Sequence, residues 1–216
     1  AIPTTGGLIF FVALIIPLIL ADDWNKLMAS LLSYLALCVG WLDDRFDIKW
    51  FYKLCAQFGV GLFFCFLGFN IENLRGIFGL YELGTITSYC LTVLVIIAII
   101  KAINLVDGVD GLAGMLALSL FGFFGIWFLI NGKLYWGIYA LSITGLLMAF
   151  LKFNFSPARI FLGDTGSLFL GTKRRLFLLV FFQGVSSSLF VNPIALVALP
   201  VLDMSRFCVY RFLRVA

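Results

Sequence analysis

Residues 89–131 read YCLTVLVIIAIIKAINLVDGVDGLAGMLALSLFGFFGIWFLIN. Two apolar runs, 89–106 and 112–131, flank Asp107-Gly108-Val109-Asp110-Gly111. Neither run alternates as a half-buried strand would, and each is close to the ~20 residues a helix needs to cross hydrocarbon. The Asp-Gly segment between them is a turn. The stretch therefore predicts two bilayer-crossing helices joined at one membrane surface.

The same pattern continues in both directions. Apolar segments lie at 8–21, 27–42, 54–69, 89–106, 112–131, 134–151, 172–191 and 194–212. Of 216 residues, 63% are hydrophobic and 12% charged, about half the charge of a soluble domain. Soluble, disordered and coiled-coil classes are thereby excluded. The expectation is an all-α polytopic transmembrane protein of about eight spans, forming a single domain over 1–216. Histidine is absent and the five cysteines show no C-x-x-C spacing, which excludes a Cys/His zinc site. The net charge of +4 speaks to membrane orientation rather than to nucleic acid, and no nucleic-acid partner is expected. The chain opens on Ala1 within a loop and closes in a basic helix, and so reads as an internal piece of a longer protein.

Each span moves the chain to the opposite surface. Segments 1–7, 43–53, 107–111 and 152–167 then share one side, with Arg45, Lys49, Lys53, Lys152 and Arg159, and with Arg211 and Arg214 at the far end of the last span. The other side holds Lys26, Arg75 and Lys133. The basic excess assigns the first side to the cytoplasm. Lys173-Arg174-Arg175 interrupts the seventh run. Charges at bilayer depth cost about 2.5–3.5 kcal/mol each, so either that span starts after Arg175 or the basic run lines a polar cavity.

The acids crowd the same side. Asp43, Asp44, Asp47, Asp107, Asp110 and Asp164 all fall there, and Asp203 lies inside the last span. Carboxylates gathered on one membrane face suit a divalent cation or a polyphosphate, since Mg²⁺ takes oxygen ligands and often bridges substrate phosphates. Asp43 and Asp44 are adjacent at the end of an apolar run, where mutual repulsion is costly without a cation. Asp107 and Asp110 are three apart and would share a face if 107–111 opened a helix. Gly163-Asp164-Thr165-Gly166-Ser167 looks like an anion-cradling helix start, with Asp164 free for metal. The bland alternatives are a solvated helix end, an Asx/Gly turn, and a turn capped by Ser167 or Thr165.

Six stretches in series resemble the polyprenyl-phosphate N-acetylhexosamine-1-phosphate transferases, of glycosyltransferase family 4 type. They are P-T-T-G-G at 3–7, L-D-D-R-F-D at 42–47 and K-L-C-A-Q at 53–57. N-L-V-D-G-V-D-G-L-A at 104–113, N-F-S-P-A-R-I-F-L-G-D-T-G-S at 154–167 and P-V-L-D at 200–203 complete the series. The resemblance implies transfer of a sugar-1-phosphate from a UDP-N-acetylhexosamine to a polyprenyl (undecaprenyl) phosphate, with release of UMP. It also implies a Mg²⁺ or Mn²⁺ requirement, a bacterial plasma membrane location with cytoplasmic catalytic loops, and a homodimer. By motif, Asp164 is the metal ligand. Asp43 and Asp44 are the acidic pair on the lipid-phosphate side. Asn104, Asp107 and Asp110 are active-site residues, Phe161 packs on uracil, and Lys53 and Asn154 occupy further polar positions. The chain departs from the family at Lys101, where Asn is usual, and at Lys173-Arg174-Arg175.

Three rivals remain. Asp43-Asp44-x-x-Asp47 fits the D-D-x-x-D of membrane prenyltransferases, but Asp107/Asp110 has the wrong spacing for the second motif. A cation transporter would distribute acids through the bilayer and on both sides. The third is an inactive fragment or paralogue of the transferase family.

Overall fold

The computed structural model describes residues 3, 6–46, 49–68, 70–77 and 80–184. The last expected span, Asp47 and Asp203 lie outside them. A 3-10 turn at Gly6–Ile9 leads into two short helices, α1 (Phe10–Ala13) and α2 (Ile15–Ile19). Six longer helices follow: α3 (Trp24–Phe46), α4 (Trp50–Phe66), α5 (Thr85–Val106), α6 (Leu112–Ile130), α7 (Leu134–Asn154) and α8 (Gly163–Gly184). Among the described residues, four segments are long and apolar enough to cross a membrane: Lys26–Phe46, Thr85–Val106, Leu112–Ile130 and Leu134–Asn154. Gly6–Ile19 and Trp50–Phe66 are shorter. The expected loop 70–88 contains a small antiparallel hairpin, β1 (Asn73–Ile77) with β2 (Leu80–Glu82), pairing Asn73 with Glu82 and Ile77 with Leu80. That hairpin amends the all-helical expectation.

Local chemistry sets the helix ends. α6 closes at Asn131-Gly132, where Gly132 takes φ +71°, a region costly for any residue with a Cβ. Lys133 N–H donates to the Phe128 carbonyl and Gly132 N–H to that of Leu129, satisfying carbonyls that a helix end leaves free. The chain reverses there, and α6 packs along α7.

α8 is the central strut, contacting α3, α5 and α6. Its inner face joins an aromatic core of Phe10, Phe121, Phe124, Tyr139, Phe169 and Phe177. Phe10 and Phe169 stack at 4.9 Å between centroids. Outward-facing apolar residues such as Ile86, Leu94, Phe123 and Ile130 are exposed, as helices bathed in lipid require.

The seventh expected span falls on α8, which is not among those four segments. The helix starts at Gly163, nine residues before the apolar run, and passes straight through Lys173-Arg174-Arg175. Lys173 is buried, its ammonium 4.3 Å from the Tyr139 ring centre. Arg175 is also buried and donates to the Thr92 carbonyl, while its Nε and second terminal nitrogen lack hydrogen-bond partners. Arg174 borders a cavity of about 450 Å³ whose other walls are apolar residues of α5, α6 and α8. The basic run thus neither precedes the helix nor lines a polar cavity.

Candidate active site

α3, α5 and α7 end where α4, α6 and α8 begin. The C-terminal end of α3, the start of α4 and the turns 107–111 and 155–162 therefore meet at one end of the bundle, which brings the acidic clusters together. At their centre is Asp164, in the first turn of α8. Its Oδ1 accepts from Asn104 Nδ2 of α5 at 2.6 Å, and its Oδ2 from Lys53 Nζ of α4 at 3.2 Å. The same ammonium is 2.9 Å from Asp43 Oδ1 of α3. Asn104 Nδ2 also reaches Ser167 Oγ at 3.4 Å. Four helices thus contribute to one polar knot, and Lys53 offsets the repulsion between two carboxylates.

The start of α8 holds anions, but they are the protein's own. Leu162 and Gly163 N–H donate to the two oxygens of Asp107, at 3.2 and 3.1 Å. Asp164 and Thr165 N–H donate to the two oxygens of Asp44, at 2.8 and 2.9 Å, and the Thr165 hydroxyl donates to Asp44 as well. Free N–H groups at a helix start attract anions. Here two carboxylates from distant segments fill that place, so the expected open phosphate cradle is not formed. The caps are Asp44 and Asp107, not Ser167 or Thr165.

Asp107 and Asp110 do not share a helix face, because α6 begins only at Leu112. Asp107 is buried and Asp110 exposed. Burial pushes the Asp107 carboxyl up to about 6; the Gly163 and Leu162 N–H groups oppose the rise, and the charges of Asp44 and Asp164 add to it. Asp110 Oδ2 accepts from Ala158 N–H at 3.1 Å. Asn154 is 1% exposed. Its Oδ1 accepts from Gly111 N–H at 3.0 Å and its Nδ2 donates to the Ile160 carbonyl at 2.7 Å. Asn154 is therefore a brace between two loops rather than a substrate-facing group. Phe161 is half-buried, and its backbone ties the N-terminal turn down: its N–H donates to Pro3 and its carbonyl accepts from Gly6.

A cleft of about 420 Å³, its open mouth included, lies against the knot and is lined by Asp43, Tyr52, Lys53, Gln57, Asp164 and Ser167. Gln57 has no role in the sequence reading, although it stands four residues after Lys53 on the same face of α4. That spacing was the available signal. Among the described residues, no three Asp, Glu, Cys or His side chains converge closely enough to enclose a metal. The Asp43 and Asp164 oxygens do suit a Mg²⁺-type ion that keeps waters and completes its shell with substrate phosphates. Asp43 Oδ1, buried and without a hydrogen-bond partner despite its ion pair, is consistent with that role.

Known proteins place this architecture. The sequence profile of glycosyl transferase family 4 matches residues 26–182. A probable undecaprenyl-phosphate N-acetylglucosaminyl 1-phosphate transferase of Bacillus subtilis (strain 168) is 30% identical over 217 residues, 98% of this chain and 60% of that protein. A phospho-N-acetylmuramoyl-pentapeptide-transferase of Thermoanaerobacter sp. (strain X514) is 32% identical over 183 residues, 78% of this chain and 58% of its own length. The enzyme of that name from Alkaliphilus metalliredigens (strain QYMF) is 62% identical over a stretch of 34 residues, 16% of this chain and 10% of its own length. The chain spans about 60% of the length of the Bacillus and Thermoanaerobacter relatives. With the profile covering most of the helical bundle and every segment that meets at Asp164, the chain belongs to glycosyl transferase family 4.

Proposed function

We propose that the protein moves an N-acetylhexosamine-1-phosphate from a UDP-sugar to a polyprenyl phosphate, at the cytoplasmic face of a bacterial plasma membrane. The observation that carries this reading is the convergence of Asp43, Lys53, Asn104 and Asp164 from four helices at one end of a membrane bundle. Both substrates are anionic, and one is a lipid. A site for them must lie at the membrane rim, hold cationic charge and orient phosphates.

In the reaction an oxygen of the lipid phosphate attacks the β-phosphorus of the UDP-sugar. The bond from that phosphorus to the UMP oxygen breaks, UMP leaves, and the sugar phosphate remains on the lipid as a pyrophosphate. The phosphate nucleophile is largely ionised at neutral pH, so no strong base is required. Asp164 and Asp43 would hold the Mg²⁺ or Mn²⁺, which supplies neutralisation of charge developing on the leaving group. Lys53 adds a mobile positive charge for a phosphate oxygen. Asn104 fixes the rotamer of Asp164. Phe161, half-buried beside the glycine turn, is the aromatic that would pack on uracil. Asp44, Asp107, Asp110 and Asn154 act as positioning residues, holding the start of α8 and the 155–162 loop. The prenyltransferase alternative is weakened because Asp44 is committed to backbone N–H groups and so is not available beside Asp43 for a diphosphate-bound metal.

The test is UMP release from UDP-N-acetylglucosamine with undecaprenyl phosphate and Mg²⁺. UMP should form only when the lipid is present and fall at least about a hundredfold in Asp164→Ala. Pyrophosphate released from a prenyl diphosphate donor would overturn the reading.

A further inference from the structure

One acceptor in the cleft, Gln57 Oε1, has no donor, and a second, Asp43 Oδ1, has only its ion pair with Lys53. Asp43 Oδ1 and Gln57 Oε1 are both buried without a hydrogen-bond partner, on residues each 8% exposed. Both residues line the same cleft as Lys53 and Asp164. Buried polar atoms are almost always satisfied, so the orphaned Gln57 Oε1, beside a carboxylate held only by an ion pair, points to a ligand that donates. A bare phosphate offers only acceptors, whereas the water shell of a divalent cation offers donors directed outward. Gln57 lies one helical turn, about 6 Å, deeper along α4 than Lys53. It therefore lies on the membrane side of Lys53 along α4, on the wall of the cleft that Asp43 and Asp164 also line.

We propose that Gln57 is a positioning residue for the hydrated divalent cation held by Asp43 and Asp164, its Oε1 accepting a hydrogen bond from a metal-bound water. The inference rests on the metal-dependent reading above and adds a residue to it. An outer-shell acceptor fixes the orientation of the bound water, and its loss typically weakens metal binding by about 10–100-fold.

The experiment titrates Mn²⁺, followed by electron paramagnetic resonance, into the purified full-length protein without substrates. Wild type, Gln57→Leu, Gln57→Glu and Asp164→Ala are compared, with metal-free thermal midpoints measured alongside. Gln57→Leu should bind Mn²⁺ about tenfold or more weakly, with a metal-free midpoint no lower than wild type because an unsatisfied buried amide has been removed. Gln57→Glu should bind at least as tightly as wild type, which a merely packing role would not produce. Equal Mn²⁺ affinity in Gln57→Leu and wild type, with Asp164→Ala weakened and UMP release intact, overturns this inference alone. Weakened binding that tracks a lowered metal-free midpoint in both Gln57 variants also overturns it. No Mn²⁺ binding by the wild type overturns the inference together with the metal assignment, and absence of UMP release overturns the proposed reaction.

Discussion

Asp44 and Asp107 show how a carboxylate beside an active site can serve the backbone. Asp44 binds two consecutive N–H groups of α8 with its two oxygens. Asp44→Asn keeps the shape but turns one acceptor into a donor facing N–H. Thermal unfolding in detergent should register a loss of about 1–2 kcal/mol, with reduced UMP release, because Asp164 is one of the residues so held. Asp107 carries a pH signature. An unfolded chain ionises it near 3.8, whereas burial holds the proton in the folded protein to about 6. Between those values the folded state binds more protons, so this group's contribution to stability declines as pH rises through the window. Infrared difference spectra of metal-free protein should show a protonated carboxyl at pH 5 that disappears above pH 7 and is absent from Asp107→Asn. A band already lost by pH 4.5 would contradict the assignment.

At the scale of elements, α3 and α8 approach without room for a side chain. A Cβ at Gly40 would lie 2.5 Å from Thr165 Cα, against backbone that cannot yield cheaply. Gly40→Val should destabilise by about 1–3 kcal/mol or more and pull Asp43 away from Lys53, with the activity loss exceeding that of Val39→Ala nearby. The expected helices at 89–106, 112–131 and 134–151 match α5, α6 and α7 to within a few residues, since Asp-Gly and Asn-Gly punctuate uninterrupted apolar runs. α8 was harder to delimit. Its first turn is polar and its middle is basic, so hydropathy starts the span nine residues late. The gathering of acids on one side was legible from span parity. Which acid faces the cleft was not: Asp43 and Asp44 are adjacent in sequence, and only the packing of α3 on α8 separates their tasks. Asn154 looked functional for the same reason, because a buried amide bridging two loops carries no local signature.

For the whole molecule, the buried cations of α8 are the feature that hydropathy cannot rationalise. Arg175 gives one hydrogen bond to Thr92 and leaves two nitrogens unmatched. Arg175→Leu should leave unfolding stability unchanged or raise it, by up to about the 1–4 kcal/mol seen when buried ion pairs are exchanged for well-packed apolar residues, while UMP release stays near wild type. Unfolding in detergent at fixed protein concentration tests this, and a fall in stability would assign Arg175 a structural bond not evident from its contacts. The same charges bear on biogenesis. Lys173, Arg174 and Arg175 together would cost an isolated α8 on the order of 8–10 kcal/mol to enter the lipid core from the insertion machinery. Yet Tyr139 and Thr92, which receive Lys173 and Arg175, belong to α7 and α5, both synthesised earlier. An α8 that crosses the bilayer would therefore have to wait at the translocon for helices already in place, and its membrane entry would become a quality-control step on the assembly of everything before it.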